Sequence, residues 1–254
     1  MEFWNEVLGI VTKYWSYLLT GVGYTMLIAL VGTAAGFLIG LLTGVVRTAP
    51  QSKNPVLRVL HKLLNALIAV YIEIFRGTPM MVQAMVLYWG YAFLNDGTTL
   101  PLIPAGLFIV SINTGAYMAE IVRGGIISVD KGQLEGAYSV GMTHSQAMLK
   151  VVIPQVLRNI LPSISNEFVI NIKDTSVLNV IGVTELYYMA GVIKRINLQT
   201  FQTYAVICVL YFILTFTVTR LLRLAEKKLD GADNYTICGS GSDSQAEIRI
   251  RKEA

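Results

Sequence analysis

Gly32-Thr33-Ala34-Ala35-Gly36-Phe37-Leu38-Ile39-Gly40-Leu41-Leu42-Thr43-Gly44 lies inside a run, residues 14–46, that contains no Asp, Glu, Lys or Arg. Roughly 20 apolar residues carry a helix across a bilayer core, so this run is long enough to span with tilt. Its glycines recur every fourth residue and fall on one helical face, where small residues let two helix backbones approach closely in lipid. Three further runs, 77–95, 97–119 and 196–219, are equally free of charge. Strands are excluded as spans, because an open sheet leaves backbone groups unpaired in hydrocarbon. The fold class is therefore all-α, a polytopic helical membrane protein with about five transmembrane helices.

Composition agrees. Of 254 residues, 54% are hydrophobic and 14% charged, against about 25% charged in a soluble domain. The net charge of +4 is scattered. It fits the bias of basic residues toward the cytosolic side rather than nucleic-acid binding. Cys208 and Cys238 show no metal-ligand spacing and imply no disulfide framework. Met1-Glu2-Phe3-Trp4 lacks the basic region of a removable signal peptide. No phosphate-cradling loop, HExxH or GxSxG is present, so neither nucleotide hydrolysis nor Ser-His-Asp chemistry is expected of this chain.

The first span lies within 17–46, and residues 1–16 form an external N-terminal segment. Arg47, Lys53, Arg58, His61 and Lys62 follow without an acid and mark an inside loop. Residues 63–95 admit one long bent helix or two spans, broken near Glu73, Arg76, Gly77 and Pro79. Parity makes them one net crossing with a re-entrant or interfacial part. The third span covers about 104–127, the fourth segment about 157–182 with Pro162 near its start, and the fifth 198–219. Arg220, Arg223, Lys227 and Lys228 place the C-terminus inside, while Lys194 and Arg195 fall in a loop that parity puts outside. Residues 17–225 form the transmembrane domain, and 226–254 read as a disordered cytosolic tail rich in Gly and Ser.

Between the third and fourth spans lies a polar insertion, about 131–146. Leu134, Ala137, Tyr138 and Met142 recur at helical spacing, with Gln133 and Glu135 off that face. Gly141 stands where a helix end wants positive φ. Thr143 with Gln146 forms a capping box for a second helix. The pattern predicts a helix-turn-helix on the water side, shaped to fit a groove on a partner.

Polar groups also interrupt the spans. Ser163, Glu167, Asn171 and Asp174 line one face of the fourth segment, and Asn113, Tyr117 and Glu120 do so on the third span. An unpaired charge in mid-membrane costs several kcal/mol. Such a stripe suits a water-accessible path, or else a set of bonds that holds the bundle together. Glu167 or Asn166 is expected to meet the passing solute, with Asn113 and Thr114 behind them. Glu73 with Arg76 and Glu120 with Arg123 are i, i+3 pairs able to neutralise each other. Lys173 with Asp174 reads as a structural or gating ion pair. His61 and His144 are isolated and expected to be solvated. No metal site is expected.

The insertion, with the residues that follow it, resembles the cytosolic motif of the permease subunits of ATP-binding-cassette (ABC) importers. There the motif runs Glu-Ala-Ala, three residues, Gly, nine residues, Ile-x-Leu-Pro. Here it is Glu135-Gly136-Ala137, Gly141 and Val151-Val152-Ile153-Pro154, with Gly136, Val151 and Ile153 as departures. The polar amino-acid uptake branch is marked by the stretches Glu73 to Pro79, Gly115 to Ile126 and Lys173 to Ser176. The resemblance covers residues from about 20 to 225. It implies a type I importer permease of five spans in a bacterial cell membrane, N-terminus outside and C-terminus cytosolic. It implies a dimer with a second copy or a paralogue, two ABC ATPase subunits below, and an extracellular or periplasmic solute-binding protein above. ATP and Mg belong to the partner ATPase, and this chain carries no cofactor and is not an enzyme. Glu135, Gly136, Ala137, Gly141 and Pro154 fall in the coupling region, and Asn113, Asn166 and Glu167 correspond to positions that hold the amino acid in some relatives. A rival function is an ion- or proton-coupled secondary transporter with Glu167 and Asp174 as a relay. The absence of an inverted repeat and the amphipathic insertion speak against it.

Overall fold

The computed structural model describes residues 2–50, 53–229, 235–238 and 247–250. Helices α1 (Glu2–Lys13), α2 (Trp15–Thr48), α3 (Pro55–Gly77), α4 (Met80–Leu94) and α5 (Leu102–Ser128) form the first half. The second half holds α6 (Lys131–Ser139), α7 (His144–Ala147), a π turn (Met148–Val152), α8 (Ile153–Asp174), a 3₁₀ segment (Thr175–Ile181), α9 (Leu186–Asn197) and α10 (Thr200–Leu229). Among the described residues, five stretches are long and apolar enough to cross a membrane: Trp15–Thr48, Pro55–Gly77, Leu102–Ser128, His144–Ile181 and Thr200–Lys228. They agree with the five spans read from charge patterning.

The spine is the pair α2–α5. A Cβ added at Gly32 would stand 2.5 Å from Val110, at Gly36 2.6 Å from Thr114, and at Gly44 2.7 Å from Val122. At Gly40 it would run into Met118. The glycine face is thus a row of sockets for α5 side chains, and contact of this kind replaces the hydrophobic drive that lipid cannot supply. Ile28 of α2 joins Ala84 and Tyr88 of α4, Ala105 and Ile109 of α5, and Leu178 of the 3₁₀ segment in one cluster. The exposed apolar residues of α3, such as Leu57, Leu60, Leu64 and Leu67, suit a helix whose solvent is lipid.

Three elements add detail to the sequence reading. The N-terminal segment is helical over Glu2–Lys13 and docks on the bundle: Ile10, Tyr14 and Leu18 pack with Leu186, Ala190, Ile193, Val206 and Ile207, and Gln202 Nε2 donates to Glu6 at 2.7 Å. The stretch around Lys194 and Arg195 is helix α9, whose apolar positions Leu186, Met189, Ala190 and Ile193 have helical spacing but too short a run to stand out. Its N-cap is Glu185, fully buried, which accepts from Tyr188 N at 2.7 Å, Tyr187 N at 2.8 Å and the Tyr211 hydroxyl at 2.9 Å. Burial pushes this carboxyl up and the three donors pull it back. Lys194 lies 5.4 Å from the centre of the Tyr204 ring, which gives a cation in an apolar setting a partner. Within the tail expected to be disordered, α10 continues to Leu229 and Tyr235–Cys238 pairs antiparallel with Glu247–Ile250. The remaining tail residues, 230–234, 239–246 and 251–254, lie outside the described residues.

Candidate functional site

Two regions carry the candidate residues: the polar insertion at one end of the bundle and the polar groups inside it.

The insertion is a tightly specified turn. The Asp130 side chain accepts from Gly132 N at 2.7 Å and starts α6. At the other end Gly141 has φ +82°. Its N–H donates to Tyr138 O at 2.9 Å, and Met142 N donates to Ala137 O at 3.1 Å. These two bonds are the Schellman pair, which demands a left-handed residue at the position of Gly141. Thr143 N then donates to Gln146 Oε1 at 2.9 Å and Gln146 N to Thr143 Oγ1 at 3.3 Å, completing the capping box. The helix widens to a π turn before Pro154. A proline ring clashes with the carbonyl four residues earlier and offers no N–H, and a widened turn relieves both.

Leu134 and Ala137 face the bundle as the spacing predicts, but Tyr138 is exposed and Met142 lies beyond the end of α6. His144 is not isolated: its Nδ1 lies 2.7 Å from the Tyr138 hydroxyl, tying α6 to α7. His61 is not isolated either, with Nε2 2.9 Å from Val46 O. Glu135 and Gly136 are exposed, as are Val140 at 73% and Leu149 at 70%. Exposed apolar side chains on a polar element at the bundle end make it a candidate docking surface. A Cβ at Gly136 would meet nothing within 4 Å. Gly136→Ala should therefore stabilise α6 by about 0.5–1 kcal/mol. Amide exchange in α6 is the measurement, expected to slow roughly two- to fivefold.

Glu120 accepts from both Arg47 and Arg123, the latter with Nε at 3.0 Å and Nη2 at 2.8 Å. The expected pair with Arg123 is present, and Arg47 adds a tie between the ends of α2 and α5. The other two expected pairs are corrected. Arg76 lies over the Tyr117 ring, 5.6 Å from its centre, and does not pair with Glu73. Lys173 and Asp174 form no ion pair, because successive helix positions point about 100° apart.

Inside the bundle the polar groups separate into sets. Asn113 Nδ2 donates to Gln83 Oε1 at 2.8 Å. Gln83 Nε2 in turn is 2.9 Å from both Phe75 O and Thr78 O, so it caps α3 where Thr78-Pro79 breaks the chain. The sequence offered one signal for Gln83, a lone amide in an uncharged run. Thr114 belongs to a second set: Asn171 Nδ2 donates to Thr33 Oγ1 at 2.7 Å and to Thr114 Oγ1 at 3.0 Å. Asn171, whose spacing suits either a solute path or a tie within the bundle, is thus a bond between α2, α5 and α8. Asn171→Leu should cost about 1–3 kcal/mol by leaving buried hydroxyls short of a partner, read as a lower midpoint of thermal unfolding in detergent.

Asn166 and Glu167 do not share a face. Asn166 is exposed toward α10, whereas Glu167 is buried at 8% exposure. Among the described residues Glu167 has no hydrogen bond or ion pair. A buried, unpartnered carboxyl within a span is a candidate for contact with a passing solute.

The model of the binding-protein-dependent transport system inner membrane component family matches residues 36–231. The chain is 33% identical over 212 residues to the glutamine transport system permease protein GlnP of Escherichia coli (strain K12), covering 84% of this chain and 92% of the relative. It is 34% identical over 219 residues to the L-cystine transport system permease protein TcyB of Bacillus subtilis (strain 168), covering 86% and 88%. Among solved structures, an amino acid ABC transporter crystallised with histidines superposes with a TM-score of 0.74 at 35% identity, covering 86% of this chain and 96% of that one. The MetNI methionine ABC transporter in an inward-facing form superposes with a TM-score of 0.65 at 19% identity, a likeness of fold alone.

Proposed function

This chain belongs to the binding-protein-dependent transport system inner membrane components and is a permease subunit of an amino-acid ABC importer, and from that premise we propose how it works. It moves a polar amino acid inward by alternating access, paired with a second permease. Two ATPase subunits, which hold the ATP and Mg, dock on α6–α7 at the cytosolic side. A solute-binding protein delivers the amino acid from the opposite side, where the N-terminus lies.

The observation that carries this reading is the connectivity of the insertion. Val129 and Asp130 alone separate α6 from α5, and α7 runs through the π turn into α8 without a break. Closure of the ATPases on ATP shifts α6–α7 as a unit, because the Schellman pair, the capping box and the Tyr138–His144 contact fix its shape. The shift is delivered to α5 and α8, the helices that carry Asn113, Thr114, Asn166 and Glu167. ATP thereby biases a two-state bundle through its differential binding to the partner. Glu135, Gly136, Ala137, Gly141 and Pro154 shape the docking element. Glu167 is the group best suited to meet the ammonium of the substrate, while Asn113 and Thr114 position the walls through Gln83 and Asn171. Residues 17–225 form the working domain.

The test is uptake by the permease reconstituted with its ATPase and binding protein, using labelled glutamine, cystine and histidine. Uptake should require ATP and both partners, and Glu167→Gln should lower it. Uptake driven by an ion gradient alone would overturn the mechanism in favour of a secondary transporter, which the family relationship does not favour.

A further inference from the structure

Between α8 and the charged end of α10 lies a cavity of about 240 Å³. That is room for several water molecules. Ser165 and Asn166 line one wall, Arg223 and Glu226 the other, with Val169 and Thr219 at its apolar end. None of the four polar side chains has a hydrogen bond or ion pair among the described residues. Arg223 and Glu226 stand at i, i+3, a spacing that brings opposite charges together elsewhere in this chain, at Glu120 and Arg123. Here the cation precedes the acid, the weaker order on a helix, and both face the shared space instead of each other. Pro162 is also in the wall. Lacking an N–H, it leaves the carbonyl of Arg158, one turn earlier, without its usual helical donor.

A ligand that satisfies this set brings an anion for Arg223, a cation for Glu226 and hydrogen-bonding atoms for Asn166 and Ser165. We propose that the cavity binds a free α-amino acid as its zwitterion, with the carboxylate on Arg223, the ammonium on Glu226 and the side chain toward Val169 and Thr219. The site is separate from Glu167, because Asn166 and Glu167 point about 100° apart on α8. It lies where α10 leaves the apolar run, so it is open to the cytosolic pool. An amino acid held there bridges two helices of the bundle and slows uptake as product accumulates. This inference rests on the amino-acid function proposed above.

The experiment uses proteoliposomes of the full complex with the ATPases facing the bath, the binding protein and labelled substrate enclosed. ATP-driven efflux of label to the bath establishes the transport function first. Labelled L-glutamine added to the bath without ATP should then bind saturably. N-acetyl-L-glutamine, which lacks the ammonium, and the α-amide, which lacks the carboxylate, should fail to compete. Arg223→Gln and Glu226→Gln should each weaken binding roughly tenfold or more, by loss of a charge-assisted contact. Arg223→Lys should restore most of it. Transport with no saturable bath-side binding overturns the site and leaves the transport function standing, as does binding indifferent to Arg223, Glu226 or the two analogues. Absence of transport of any amino acid overturns both.

Discussion

Gly40→Val is expected to prevent the protein from accumulating in the membrane. At this position the α5 backbone itself stands in the way: a Cβ on Gly40 would lie 2.7 Å from Met118 C and 2.8 Å from Ala119 N, as well as against the Met118 side chain. A flexible side-chain tip can turn aside, but a backbone can only retreat. Retreat of α5 opens the neighbouring sockets at Gly36 and Gly44 together. Overpacking by even a methylene typically costs about 1–3 kcal/mol, a large share of the 5–15 kcal/mol that holds a typical fold. Gly40→Ala should sit at that scale, and valine, with two more carbons, beyond it. The measurement is fluorescence-detected size exclusion after heating. Gly23→Ala and Gly90→Ala serve as controls, because a Cβ at either meets nothing within 4 Å, and their effects should stay within about 0.5 kcal/mol. A Gly40→Val protein as heat-stable as the Gly23→Ala control would contradict the socket arrangement.

Gly141→Asp is expected to give a protein that inserts in the membrane but does not transport. Nothing crowds Gly141, so the effect comes from its backbone alone. At φ +82° a side chain costs about 1–2 kcal/mol. That is too little to unfold the bundle and enough to loosen a turn whose exposed residues these bonds hold in one shape. The Schellman bonds to Tyr138 O and Ala137 O weaken together, and Val140 moves with them. Uptake by the reconstituted complex should fall by an order of magnitude or more, with monodisperse protein still recovered from the membrane. Capture of the ATPase should fall in parallel. Full uptake by this variant would remove the insertion from the coupling path.

The parts legible in the sequence were those set by local chemistry. Gly141 and the pair Thr143–Gln146 announce a helix stop and a helix start by residue type alone, and the turn forms with both. The glycine repeat on α2 announces a close contact, though not which helix fills it. What stayed hidden depends on distant partners. Asn171 has the spacing of a solute-facing stripe, yet Thr33, 138 positions away in sequence, turns it into an internal tie. Asn113 looks like its neighbour in function until Gln83 accepts its amide hydrogen. Lys194 falls in what reads as a loop, and the structure sets it on α9 beside Tyr204. Side-chain pairing across helices is invisible to periodicity, because periodicity reports a face and never its occupant.

The socket row on α2 also restricts how the machine can move. Knobs and hollows repeat every four residues on both helices, a rise of about 6 Å. A slide shorter than one full notch would ram a side chain into bare main chain, so the two rods are geared and cannot creep past each other. They travel as a single strut. Bending is left to the joints that carry prolines, at Thr78-Pro79 and at Pro162, and those are the places where a distance probe should register the stroke.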